Sequence, residues 1–172
     1  ATTEIYTLSL HDALPISYKW GTKGKVVATK PLNYQGRLIE DFHLVFEDGK
    51  VIEFDARKEK EALQNILDTD EGSRYIGEIA LISHDSPISN TGILFLNTLF
   101  DENASCHMAL GRAYPMNIKN GNDTPLEKLQ EAGYNLSMVH SDFMFGSADM
   151  QITGTTHDGK TVTIFKDGNF VI

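Results

Sequence analysis

The chain of 172 residues carries 24 acidic against 15 basic side chains, a formal charge of −9, and 41% hydrophobic residues. That is about one domain with enough apolar material for a core, and its acidity argues against nucleic acid or anionic membrane surfaces as partners. The single cysteine, Cys106, excludes an internal disulfide and fits a reducing, cytoplasmic setting, and no apolar run approaches the length that spans a bilayer.

Residues 1–16, "ATTEIYTLSLHDALPI", sustain neither a helical nor an alternating apolar pattern, and Pro15 would interrupt a helix. They lack the basic start and long apolar run of a secretory signal. They resemble, letter for letter, one reading frame of a short-read sequencing adapter. The stretch is therefore expected to be foreign to the domain, which is expected to occupy 17–172. In "HLVFEDGKVIEFDA", apolar alternation flanks Asp48-Gly49, a pair that takes positive φ cheaply, and this predicts a hairpin of two strands, about 43–47 and 50–56. "RKEKEALQNILDTDEG" spaces Ala62, Leu63, Ile66 and Leu67 three and four apart ahead of Gly72, which predicts an amphipathic helix. "YIGEIALI" and "GILFLNTLF" read as buried strands. "DENASCHMALGRAY" reads as a helix capped by Asp101, and "DTPLEKLQEAG" as a shorter one, with Asp123 or Thr124 as cap, Pro125 in its first turn and Gly133 at its stop. Turns at Asp158-Gly159 and Asp167-Gly168 between alternating runs predict an antiparallel meander. Strands and helices do not alternate strictly, so the expected class is α+β (mixed α/β).

Ionisable residues interrupt several of these apolar stretches. A strand over "YIGEIALI" would put Ile76, Glu78, Ala80 and Ile82 on one face. A carboxylate there needs a cation, an Arg or Lys partner, or a strand end facing water. In "NLSMVHSDFMF", Leu136, Met138, His140, Asp142 and Met144 would share a side. His140 and Asp142 then suit two ligands of one metal centre or a carboxylate orienting an imidazole; an exposed ion pair at a strand edge is the alternative. The predicted helix over 101–114 sets Glu102, His107 and Tyr114 within reach of one side, although a carboxylate and imidazole near a helix start also serve ordinary capping. Cys106 faces away from His107 on that helix and reads as a small packed residue. His43, His84 and His157 read as structural or surface histidines. Together, three carboxylates and two imidazoles would suit Zn²⁺, Co²⁺ or Mn²⁺ better than a thiolate site or a rigid all-oxygen Mg²⁺ cage. HExxH, GxSxG, P-loop and GxGxxG motifs are absent.

Five stretches, "KPLNYQGRLIEDFHLVFEDGKVIEFDA", "GSRYIGEIALI", "SPIS", "FLNTLFDENASCHMALGRAYP" and "NLSMVHSDFMFGSADM", closely resemble the thermophilic-type metalloaminopeptidases of peptidase family M29. The resemblance covers 17–172. It implies a partial C-terminal metal-binding catalytic domain of a two-domain, homodimeric enzyme that removes N-terminal residues from peptides with two divalent metal ions (Zn, Co, Mn or Mg). Glu78 is implied as the carboxylate shared by both ions, Glu102, His107, His140 and Asp142 as further ligands, and Tyr114 as the catalytic tyrosine. Family members also carry a glutamate ligand in a "TEEVF"-like segment ahead of the region matching Lys19 to Leu32. "SLHDALPIS" stands in that place here, and neither Glu4 nor Asp12 is taken as its substitute. This departure implies weakened metal binding and turnover, and leaves a non-catalytic metal-binding or dimerisation module as the alternative.

Overall fold

The computed structural model describes residues 5–6, 18–156 and 158–172. The expectation that 1–16 is foreign falls, apart from Ile5 and Tyr6, outside these residues, as does the assignment of His157. Local turn chemistry organises the strands. Three hairpins close through two-residue turns with both central residues at positive φ, Gln35-Gly36, Asp48-Gly49 and Asp167-Gly168. Such turns match the right-handed twist of the strands they join. The last two follow the Asp-Gly signal; Gln35-Gly36 lacks the Asn or Asp that marks such turns in sequence.

The long strand β4 (Arg37–Glu47) is the spine of a five-stranded antiparallel sheet. β3 (Leu32–Tyr34) folds back on its first residues, and β2 (Lys23–Val27) and β5 (Lys50–Lys58) pair with its later part. β1 (Ile5–Tyr6) adds to the edge of β2. The hairpin runs further at its open end than the apolar pattern predicted, because charged residues continue it through ion pairs of Glu40 with Arg57 and Lys58, each at 2.7 Å. Helix α1 (Lys60–Leu67) follows, and the four residues whose spacing predicted it are all buried against this sheet.

A second antiparallel sheet has β7 (His107–Gly111) between β6 (Ile76–Ala80) and β8 (His140–Met144). One of its faces joins the first sheet and α1 in a common core: Ile76, Met108, Leu110 and Phe143 pack with Phe42, Leu44, Phe46, Leu63 and Ile66. The rings of Phe42 and Phe143 meet edge-on, centroids 5.5 Å apart, and so fasten one sheet to the other. The predicted meander is present as β9 (Ile152–Thr155), β10 (Thr161–Lys166) and β11 (Asn169–Phe170). The fold is α+β, built of antiparallel sheets with few helices. No helix among the described residues is long and apolar enough to cross a membrane.

Two local expectations are corrected. The segment 101–114 is not one helix: a short helix α2 (Thr98–Asp101) and a 3₁₀ turn (Glu102–Ala104) give way to the central strand β7. Every residue of β7 is buried, with a partner strand on each side. Pairing on both edges outweighs the helix preference of Ala, Met and Leu, which amounts to less than about 1 kcal/mol per residue. Nor is "GILFLNTLF" a buried strand. Asp101, itself buried, accepts from Phe95 N–H and Asn97 N–H at 2.8 and 3.1 Å and bends the segment into a loop. Asn97 then caps α2 through Leu99 N–H, and Ile93, Leu99 and Phe100 are left exposed. The remaining predicted helix is α3 (Leu126–Glu131), with Pro125 itself at the N-cap position.

Candidate metal centre

The second sheet aims its other face at a cluster of acids and imidazoles. On neighbouring antiparallel strands, opposed residues point the same way. Glu78 lies opposite Ala109 and Ala109 opposite Asp142, while His107 faces Ala80 and His140 faces Gly111. Glu78, His107, His140 and Asp142 therefore project from one face, and small residues at 80, 109 and 111 leave room between them.

Glu78 reaches that face through a bulge. The register shifts between Ile76, opposite Leu110, and Glu78, opposite Ala109. Gly77 is the extra residue. Strict alternation would have set Ile76 beside Glu78, as expected from sequence; the bulge turns Ile76 into the core and Glu78 to the opposite side. The bulge requires Gly77, since a Cβ there would stand 2.3 Å from the Arg112 carbonyl oxygen and 2.4 Å from that of Gly111. Gly77→Ala is expected to destabilise the chain by about 1–3 kcal/mol through overpacking, measured by urea unfolding; an unchanged midpoint would refute the tight approach.

The structure brings all five expected ligand-type residues together. Donor atoms of Glu78, His140 and Asp142 lie within 4.8 Å of one another, and so do those of Glu102, His107 and Asp142, which makes Asp142 common to two overlapping triads. Glu78 spans them as well: Oε1 is 3.6 Å from His107 Nε2 and Oε2 is 3.6 Å from His140 Nε2. His140 Nε2 is also 3.4 Å from Asp142 Oδ1. Glu102 arrives from the 3₁₀ turn after α2, not from a helix shared with His107. Of the strand residues expected on one side with His140 and Asp142, Leu136 and Met138 instead precede β8 in a loop.

Hydrogen bonding sets the orientation of His140. Its Nδ1–H donates to the Arg112 carbonyl at 2.8 Å. In the neutral ring this leaves the Nε2 lone pair facing two carboxylates, an arrangement that invites a proton or a cation between them. The His140 pKa is raised accordingly, first by its hydrogen bond to Asp142 and against the effect of burial, with the Arg112 carbonyl and Glu78 adding to it. Burial and then the Asp142 charge push Glu102 above the ordinary carboxylate range. Tyr114 sits beside the cluster, its ring centroid 4.8 Å from that of His140. Its phenol pKa is raised by burial, then by Glu78, Asp142 and Glu102.

These groups fit divalent cations on physical grounds. Glu78, Glu102 and Asp142 form no ion pair with Lys or Arg among the described residues, and partly buried negative charge without a counter-ion is costly. His107, 4% exposed, leaves Nδ1 without a hydrogen-bond partner among the described residues. Mixed nitrogen and oxygen donors of this number suit Zn²⁺, Co²⁺ or Mn²⁺. Cys106 takes no part, its buried thiol being occupied with the backbone of Ile82.

Sequence reasoning missed the residues that brace this face. Neither Asp70 nor Asn135 was singled out; the Asp70 and Ser73 spacing of a capping box is the one pattern that could have pointed to the first. In the fold, Asn135 Nδ2 donates to the carbonyls of Gly72 and Gly111 at 2.8 and 2.6 Å, tying the approaches to β6 and β8 to the end of β7.

Comparisons with known proteins agree with this architecture. The family model described as thermophilic metalloprotease (M29) matches residues 2–170. Aminopeptidase 2 of Geobacillus stearothermophilus is 50% identical over 98% of this chain and 39% of its own length. Aminopeptidase AmpS of Bacillus subtilis is 48% identical over the same shares. The solved structure of wild-type AmpT from Thermus thermophilus superposes with a TM-score of 0.85 at 40% identity, covering 91% of this chain and 38% of that one. The chain thus spans about two-fifths of the length of the curated relatives it matches.

Proposed function

The chain belongs to the thermophilic metalloprotease (M29) family, and from that membership we propose that it supplies the hydrolytic centre of a metal-dependent aminopeptidase acting on the N-terminal residues of peptides. The observation that carries the reading is the convergence of Glu78, Glu102, His107, His140 and Asp142 in two overlapping triads without a Lys or Arg counter-ion among the described residues. Glu78 and Asp142, each within reach of both triads, are the residues suited to hold two cations side by side. Two divalent ions (Zn, Co, Mn or Mg) held there would lower the pKa of a bound water and polarise the scissile carbonyl.

The chain's own residues do the rest. His140, with its Nδ1 proton committed to Arg112, presents Nε2 to the centre. Tyr114, at the rim and 40% exposed, carries a phenolic proton as tyrosines ordinarily do near neutral pH, and burial with the neighbouring carboxylates raises its pKa further. It can therefore donate a hydrogen bond to the oxyanion that develops as the peptide carbonyl becomes tetrahedral. The proposal extends to a cytoplasmic, homodimeric enzyme of the relatives' full length.

A non-catalytic metal-binding or dimerisation module is the second reading, favoured by "SLHDALPIS" standing where the resemblance implies a further glutamate ligand. Calorimetric titration of the chain with Zn²⁺, followed by chelation with EDTA, tests the centre: saturable binding reversed by chelator is expected, and the absence of heat would reject it. Hydrolysis of an aminoacyl chromogenic substrate by a relative-length enzyme carrying this segment separates the readings. Turnover supports the peptidase, and tight binding without turnover supports the module.

A further inference from the structure

We infer that Asp70 is a positioning residue for His140, holding through the loop before β8 the backbone that orients the imidazole; the link to catalysis rests on the reading of His140 as a ligand given above. Asp70 lies outside the cluster, at the N-cap of the 3₁₀ turn Glu71–Arg74 that leads into β6. Its carboxylate does more than cap. Oδ1 accepts from Ser73 N–H and Ser73 Oγ–H at 3.0 and 2.9 Å, and from Ser137 Oγ–H at 2.9 Å. Oδ2 accepts from Met138 N–H at 2.6 Å. One carboxylate thus joins the approach to β6, which carries Glu78, to the loop that carries the chain into His140.

From that loop the connection to the imidazole is continuous. Ser137 Oγ, held by Asp70, accepts from Val139 N–H at 3.0 Å. The Val139 carbonyl accepts from Arg112 N–H at 2.7 Å. The carbonyl of the same Arg112 accepts the Nδ1 proton of His140 at 2.8 Å. Asp70 therefore sets where Val139 lies, Val139 sets where Arg112 lies, and Arg112 sets the ring. The carboxylate stays ionised for this task. Burial pushes its pKa up, but the hydrogen bonds from Met138, Ser137 and Ser73 outweigh burial and leave it below the ordinary value. Charge-assisted bonds of this kind are about twice as strong as neutral ones. A helix cap alone would need only the Ser73 contacts; the Ser137 and Met138 contacts are what a cap does not explain.

The test compares the chain with Asp70→Ala and with Asp70→Asn, which keeps the shape and loses the charge. Ile66→Val, in the core on α1, is the control for general destabilisation. Two quantities are read: the ¹⁵N shifts and Hδ1 resonance of His140 in the metal-free protein, and Zn²⁺ affinity by calorimetry. Asp70→Ala is expected to shift or broaden the His140 Hδ1 signal and to weaken Zn²⁺ binding about tenfold, the low end of what loss of an outer-shell support costs. Asp70→Asn should fall between it and the parent, and Ile66→Val should change neither quantity. A folded Asp70→Ala protein with an unchanged His140 signal and affinity overturns the inference. Should Asp70→Ala fail to fold, Asp70→Asn is judged by the same two measurements. If the parent chain itself fails to bind Zn²⁺, the metal-centre reading fails separately, and the His140 resonance alone decides the role of Asp70.

Discussion

Glu78→Gln is expected to abolish metal-dependent hydrolysis of an aminoacyl chromogenic substrate by a relative-length enzyme carrying this segment. The two Glu78 oxygens face two imidazoles, each at 3.6 Å. The amide keeps the shape but removes one negative charge and replaces one acceptor with an N–H₂ donor pointed at a nitrogen that should receive a cation. One triad would lose its donor and the bridge between the triads would be broken. The loss in metal affinity should therefore exceed the roughly 10–100-fold that removal of an outer-shell support costs. Calorimetry with Zn²⁺ on this chain and rate measurements at saturating metal read the two effects separately. Wild-type rates in the variant would remove Glu78 from the centre.

Phe143→Ala is expected to cost about 3–5 kcal/mol of stability, as loss of a fully buried aromatic side chain does. That is a large share of the roughly 5–15 kcal/mol that holds a domain of ordinary stability together. Phe143 is 1% exposed and its ring meets Phe42 of the first sheet. Its neighbour Asp142 points the other way, into the cluster of acids and imidazoles, so the contact that joins the two sheets and the carboxylate common to both triads are adjacent on one strand. Guanidinium unfolding measures the stability, and Zn²⁺ titration of whatever remains folded should show weakened binding. A cost below about 1 kcal/mol, the range of volume-conserving swaps, would mean that the two sheets do not share a core there.

What could be read before folding was mostly local. The Asp48-Gly49 and Asp167-Gly168 turns depend on the φ preferences of two adjacent residues, and the spacing of Ala62, Leu63, Ile66 and Leu67 fits one helical face whatever surrounds it. His140 and Asp142 share a side because alternation along β8 is a property of the strand itself. The segment 101–114 departs from its sequence pattern for the complementary reason. Its composition favours a helix weakly, and its state was decided by hydrogen bonding to β6 and β8, strands remote in sequence. The same holds for Ile76 and Glu78. Only the register against β7 reveals the bulge at Gly77, and with it why one enters the core and the other the site.

The order of residues alone determined the chemical inventory: three carboxylates, two imidazoles and a tyrosine set in apolar surroundings, family likeness, turn positions and helix α1. The tertiary structure decided which of these meet. Asp142 became common to two triads and Asp70 became tied to the loop before His140 because each took partners distant along the chain. Turn and helix preferences are paid out within a few bonds, whereas a cluster drawn from three strands and a 3₁₀ turn exists only after pairing register and core packing have overcome the entropy of bringing those segments together.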